Sequence, residues 1–123
     1  MATYVIGVGS NTKGKLENVR DAIAWIDTIF CNVKSSSIYT TPATNGKDED
    51  YANAVVKCDS DDELPIIQRR LKEYEQACGR TKESKIKGIV PIDLDIVICD
   101  NEILRPRDYN AEYFLIGWRQ ING

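Results

Sequence analysis

The chain has 123 residues, 42% of them hydrophobic and 28% charged, with a net charge of −3. That length fits one domain able to bury roughly two thirds of its unfolded surface without disulfides or a structural metal. The acidic balance argues against a nucleic-acid protein working through a large basic face, and the absence of histidine removes Ser-His-Asp and Cys-His catalysis and most zinc centres.

Thr3 to Val8 is β-rich and apolar on both faces, as a central strand requires, and Gly9-Ser10-Asn11-Thr12 breaks it. Leu16, Val19, Ile23 and Ile26 then recur every three or four residues and predict a helix of about three turns, capped by Asn11 or Thr12. Thr28 to Thr40, β-branched and closed by Pro42, reads as one longer exposed strand, followed by a polar loop from Ala43 to Asp50. Tyr51 to Cys58 alternates as a strand does. Leu64, Ile67, Leu71, Tyr74 and Cys78 mark a second helix with Pro65 in its first turn, Asp62 as cap and Gly79 as stop. A basic, irregular segment from Arg80 to Val90 leads to a strand from Pro91 or Ile92 to Cys99. An amphipathic stretch with Phe114, Trp118 and Ile121 closes the chain as a helix.

This order predicts an α+β, ferredoxin-like sandwich over residues 1–123 as a single domain. It has a four-stranded antiparallel sheet, two helices on one face and a C-terminal helical tail, leaving the other face free to carry a site. Cys31, Cys58, Cys78 and Cys99 form no CxxC pair and sit in apolar stretches, which reads as four reduced core thiols in a cytoplasmic protein. No signal peptide, membrane span or lipidation motif is expected.

In Ile92-Asp93-Leu94-Asp95-Ile96-Val97-Ile98, strand geometry puts Ile92, Leu94, Ile96 and Ile98 on the helix-facing side. Asp93 and Asp95 then stand about 7 Å apart on the other. Such carboxylates repel unless neutralised, and a hard divalent cation, magnesium carried with nucleotide phosphates, is the economical partner. Two solvated aspartates on an exposed strand fit the same pattern. Arg80, Lys82, Lys85 and Lys87 precede the pair and suit a mobile phosphate-gripping loop, and Arg105 and Arg107 add two cations after it; surface loops also carry such residues. Gly9-Ser10-Asn11-Thr12-Lys13-Gly14-Lys15 imitates a Walker A loop, but Leu16 stands where a hydroxyl must hold magnesium, and the element order is not that of a parallel sheet.

Taken in order, Gly9-Ser10-Asn11, Ser37-Ile38-Tyr39-Thr40-Thr41-Pro42, Tyr51-Ala52-Asn53-Ala54-Val55, Gly79-Arg80 and Pro91-Ile92-Asp93-Leu94-Asp95-Ile96 resemble the hydroxymethyl-dihydropterin pyrophosphokinases of folate synthesis, over roughly residues 4–104. The resemblance implies transfer of a pyrophosphoryl group from ATP to the hydroxymethyl oxygen of a reduced pterin, leaving AMP. It implies Asp93 and Asp95 as ligands of two magnesium ions, and Thr41, Pro42, Tyr51 and Asn53 as the pterin pocket with Phe114 as a stacking ring. Glu75 and Arg80 would lie at the nucleotide, Ile96 against adenine, and Arg80 beside the aspartates as a catalytic group. Lys82, Lys87, Arg105 and Arg107 are the further cations available to phosphate. Lys87 and Val90 stand where the family usually has a tryptophan and an arginine. Near Arg107-Asp108-Tyr109 a histidine-tyrosine pair reads as replaced, and the family's usual C-terminal extension is expected to be absent. Small-molecule substrates, no nucleic acid and no membrane partner are expected. A relative that binds pterin or nucleotide with weak turnover is the alternative, with a Lys15-dependent nucleotide hydrolase as a third reading.

Overall fold

The computed structural model describes residues 1–122, in the order β1 (Ala2–Ser10), α1 (Lys15–Ile29), β2 (Cys31–Ser35), β3 (Tyr39–Thr41), β4 (Tyr51–Ser60), α2 (Leu64–Ala77), α3 (Lys82–Ile86), β5 (Asp93–Cys99), β6 (Glu102–Ile103), α4 (Pro106–Tyr109) and α5 (Glu112–Asn122). Every strand pairing is antiparallel, in the spatial order β2-β4-β1-β5-β6, with β3 also on β4. The sheet therefore has six strands, not the expected four. The stretch over 28–40 ends α1 and then divides, because Ser36 turns inward and takes up the Val55 amide with its hydroxyl at 2.9 Å instead of continuing a strand. β6 adds a two-residue edge to β5.

Alternation along β4 sorts the interior into two layers. Ala52, Ala54, Val56 and Cys58 join Tyr4, Ile6 and Val8 of β1 in a core closed by Val19, Ala22 and Ile26 of α1 and Ile67 and Leu71 of α2. Val55 points the other way and packs with Val5, Val97, Phe114 and Ile121 beneath α5. The second face is thus partly covered by α5 and not wholly free. Ile92, Leu94 and Ile96 face the helices as expected, but Ile98 joins the opposite layer. The β1–β5 register shifts between Val5 and Ile6, and the resulting bulge at Val97 reverses the parity of every later side chain.

Local expectations shift in the same physical way. Gly14 and Glu63 occupy the cap positions of α1 and α2, neither with a side-chain cap bond. Asn11 and Thr12 are engaged elsewhere, and the Asp62 amide donates to Ser60 Oγ. Leu16 is exposed, the buried stripe of α1 being Val19, Ala22 and Ile26. Of the four free cysteines only Cys58 is in the core; Cys31 and Cys78 are exposed and Cys99 half-buried. The segment expected to be a mobile loop contains α3, closed by a Thr81–Ser84 capping box. The Walker-like turn follows a strand that is antiparallel to both its neighbours, with Lys15 Nζ on the Asp50 carbonyl at 3.1 Å. No helix among the described residues is long and apolar enough to cross a membrane.

Candidate active site

β1 sends Tyr4, Ile6 and Val8 to the helix face, and on the other face Val5 is followed by two bare positions, Gly7 and Gly9. Over that floor lies a cleft of about 200 Å³, walled by Thr41 at the end of β3 and Pro42 just after it, Tyr51 and Asn53 of β4, Asp93 and Asp95 of β5, and Tyr113 and Phe114 of α5. Gly9 sets its depth, since a Cβ there would meet Asn53 Oδ1 at 3.3 Å and Tyr51 at 3.5 Å. Asn53 is held by its Nδ2, which donates to Thr41 Oγ1 at 2.6 Å and to the Tyr51 carbonyl at 3.3 Å. Its Oδ1 accepts no hydrogen bond among the described residues. Phe114, 2% exposed, is stacked against Trp118 at 5.9 Å and presents a rigid ring to the slot.

A second, wider groove of about 410 Å³ lies between α2 and β5, lined by Glu75, Arg80, Leu94, Ile96, Leu104 and Arg105 among others. Asp93, Asp95 and Arg105 line both hollows. The five residues expected at a pterin thus share one hollow, Glu75, Arg80 and Ile96 share the other, and the aspartate pair stands between. Lys82 and Lys87 line neither; they lie exposed on or just past α3, with Lys87 paired to Glu83 at 3.2 Å. Arg107 is exposed on α4 and lines neither.

Charge between the hollows is tightly paired. Arg80 Nη1 donates to Asp93 at 2.6 Å and to Glu75 at 3.0 Å, and the same Glu75 oxygen accepts the Leu94 amide at 2.8 Å. Arg105 approaches Asp95 at 3.8 Å and is anchored by Asp108, which also accepts the Tyr113 hydroxyl. Asp108 and Tyr113 are members of the site that the sequence reading missed; the only trace of Asp108 is its i+3 spacing from Arg105. Four carboxylates face two guanidiniums. Burial, reinforced by the Asp93 charge, pushes the Asp95 carboxyl well above the carboxylate range, and burial also raises Glu75.

Two hollows meeting at a half-buried carboxylate pair, with Arg105 on the shared wall and Arg80 paired to Asp93, are the layout of a group-transfer enzyme that brings two substrates together. Over residues 5–123 the chain matches the model of the 7,8-dihydro-6-hydroxymethylpterin-pyrophosphokinase family, and it belongs to that family. The match runs past residue 104, near which the motif resemblance ends, and takes in α4 and α5. The chain is also similar to the 2-amino-4-hydroxy-6-hydroxymethyldihydropteridine pyrophosphokinase of Aquifex aeolicus, 26% identical over 108 residues, which cover 87% of this chain and 67% of that protein.

Proposed function

We propose that this pyrophosphokinase uses the first cleft for a reduced hydroxymethyl pterin, the groove for ATP, and the Asp93–Asp95 pair as the point of transfer. The observation that carries the reading is that both hollows share these two carboxylates. A flat heterocycle suits a slot walled by the Tyr51 and Phe114 rings, and the unused Asn53 Oδ1 and the Thr41 hydroxyl supply polar contacts at its edge. Adenine suits the apolar stretch of Ile96 and Leu104, with Arg80 and Arg105 toward the phosphates.

Magnesium fits the donor set. Asp93 and Asp95 offer hard oxygens, and no third acidic, cysteine or histidine side chain completes a cage among the described residues. This is the economy of a cation held by one or two carboxylates and completed by substrate phosphate. When bound, two such ions would neutralise the polyphosphate. The chain's own residues do the positioning. Arg80 and Glu75 hold Asp93 in place, Arg105 waits beside Asp95, and the bare floor at Gly7 and Gly9 lets the pterin sink until its hydroxymethyl group reaches the pair. In the reaction the hydroxymethyl oxygen bonds to the β-phosphorus, and the bond from that phosphorus to the bridging oxygen of the α-phosphate breaks. AMP leaves with the electron pair and the hydroxyl proton passes to solvent.

The strand order around β1 and the two helices on one face support a ferredoxin-like core extended by β6 and α5. The deciding experiment is AMP release from ATP with magnesium and hydroxymethyl-dihydropterin. Asp95→Ala and Asp93→Ala are each expected to lower it by about a hundredfold or more. Retained turnover in Asp95→Ala would overturn the assignment.

A further inference from the structure

We propose that Tyr39 is a positioning residue for the pterin substrate, its phenol built into α5 at the rung of Tyr113 and Gly117 so that it sets where the Phe114 ring stands. The inference rests on reading the first cleft as the pterin site.

Tyr39 lies in β3 and is not itself part of the cleft wall. Its hydroxyl donates to the Tyr113 carbonyl at 2.6 Å and accepts the Gly117 amide at 3.0 Å. In a regular α-helix the amide of residue i bonds the carbonyl of residue i−4, so 117 and 113 are each other's ordinary partners. The phenol of a neighbouring strand engages both. A side chain entering the ladder in this way is one of the few identifiable causes of local helix distortion. Position 117 makes the approach possible, because a Cβ there would stand 2.8 Å from the Tyr39 hydroxyl and 2.6 Å from Val55 Cγ2. Burial pushes the phenol up to about 12, so it keeps its proton across working pH.

The consequence falls on the substrate slot. Phe114 is the residue after the bridged carbonyl, and its ring lines the cleft. Thr41 and Pro42, two and three residues after Tyr39, line the same cleft. One hydroxyl therefore ties the wall carrying Thr41 and Pro42 to the wall carrying Phe114, and fixes the width available to a planar ring. Tyr39→Phe keeps the aromatic packing but removes both bonds, which lets the 113–117 rung close and Phe114 shift.

The test uses the full chain. In Tyr39→Phe the KM for hydroxymethyl-dihydropterin is expected to rise about fivefold while the KM for ATP stays within about twofold, the effect of losing ordinary hydrogen bonds that serve one substrate only. Trp118, stacked on Phe114, reports the helix directly; in a Trp25→Phe background its emission should become more accessible to acrylamide. Gly117→Ala, which crowds the same seat from the helix side, should give the same pair of changes. A folded Tyr39→Phe with both pterin KM and Trp118 quenching unchanged, or with both KM values raised alike, overturns the proposal. A fall in thermal stability alone would mark Tyr39 as merely structural. If the unsubstituted chain releases no AMP, the assignment of the cleft fails, while Trp118 quenching still decides whether Tyr39 seats α5.

Discussion

Asp95 lies between Asp93 and the Arg105 guanidinium, and burial together with the Asp93 charge pushes its carboxyl up to about 8. An unfolded aspartate titrates near 3.9. Between those values the folded chain binds more protons than the unfolded one, so this group's contribution to stability is complete at low pH and is lost as pH rises toward 8. Asp95→Asn removes the titration and keeps the shape. Without divalent ions its Tm should match that of the natural chain near pH 4 and exceed it by about 4 °C or more at pH 8.5. Differential scanning calorimetry at both pH values in chelator checks this, and an advantage independent of pH would remove the electrostatic explanation. Asp93 and Asp95 were legible in the sequence because two residues apart on a strand means the same face. Asp108 was not, since only the turn after β6 brings it to Arg105 and Tyr113. The placement of Lys82 and Lys87 was not legible for the converse reason: a basic run says nothing about orientation, and the capping box that opens α3 leaves both lysines exposed and outside the two hollows.

Elements with a full period were read correctly; those defined by a single side chain were not. β1, β4, β5, α1, α2 and α5 carry apolar positions at spacings of two or of three and four, which is a property of the segment itself. The break between β2 and β3 depends on Ser36 bonding across to Val55, and the reversal at Ile98 depends on a bulge against β1, neither of which has a local signal. The segment 80–90 depends on a residue far away in sequence. Asn11, 5% exposed, donates from Nδ2 to the Gly88 carbonyl at 2.8 Å and accepts the Val90 amide on Oδ1 at 2.6 Å. This explains why Asn11 does not cap α1. Asn11→Ala leaves those two groups without partners and is expected to cost about 1–3 kcal/mol. It should also loosen the segment locally, so limited trypsin digestion should cut after Lys82, Lys85 or Lys87 several-fold faster than in the natural chain, while cleavage in α1 and α2 is unchanged. Equal cleavage rates would mean that the Thr81–Ser84 capping box alone holds the segment.

Across the whole molecule the net charge of −3 is unremarkable, but its placement is not. Glu75, Asp93, Asp95 and Asp108 converge where the two hollows meet, paired among the described residues with Arg80 and Arg105, while the lysines of the 80–90 segment lie outward. Above about pH 8, where Asp95 is ionised beside Asp93, a polyphosphate entering alone meets a surplus of negative charge in a partly desolvated groove, where like charges cost far more than in water. The same surplus becomes attractive once divalent cations accompany the nucleotide. Nucleotide affinity should therefore depend on magnesium through the aspartates themselves and not through the arginines. Above that pH, calorimetric titration with ATP should show binding about tenfold or more tighter with magnesium than in chelator. In Asp93→Asn/Asp95→Asn the magnesium enhancement should vanish, while binding in chelator should become tighter than that of the natural chain, because the repulsion has been removed. Weaker binding by the double variant in chelator would show that the carboxylates assist the nucleotide by some route other than charge, and would undo this account of the site.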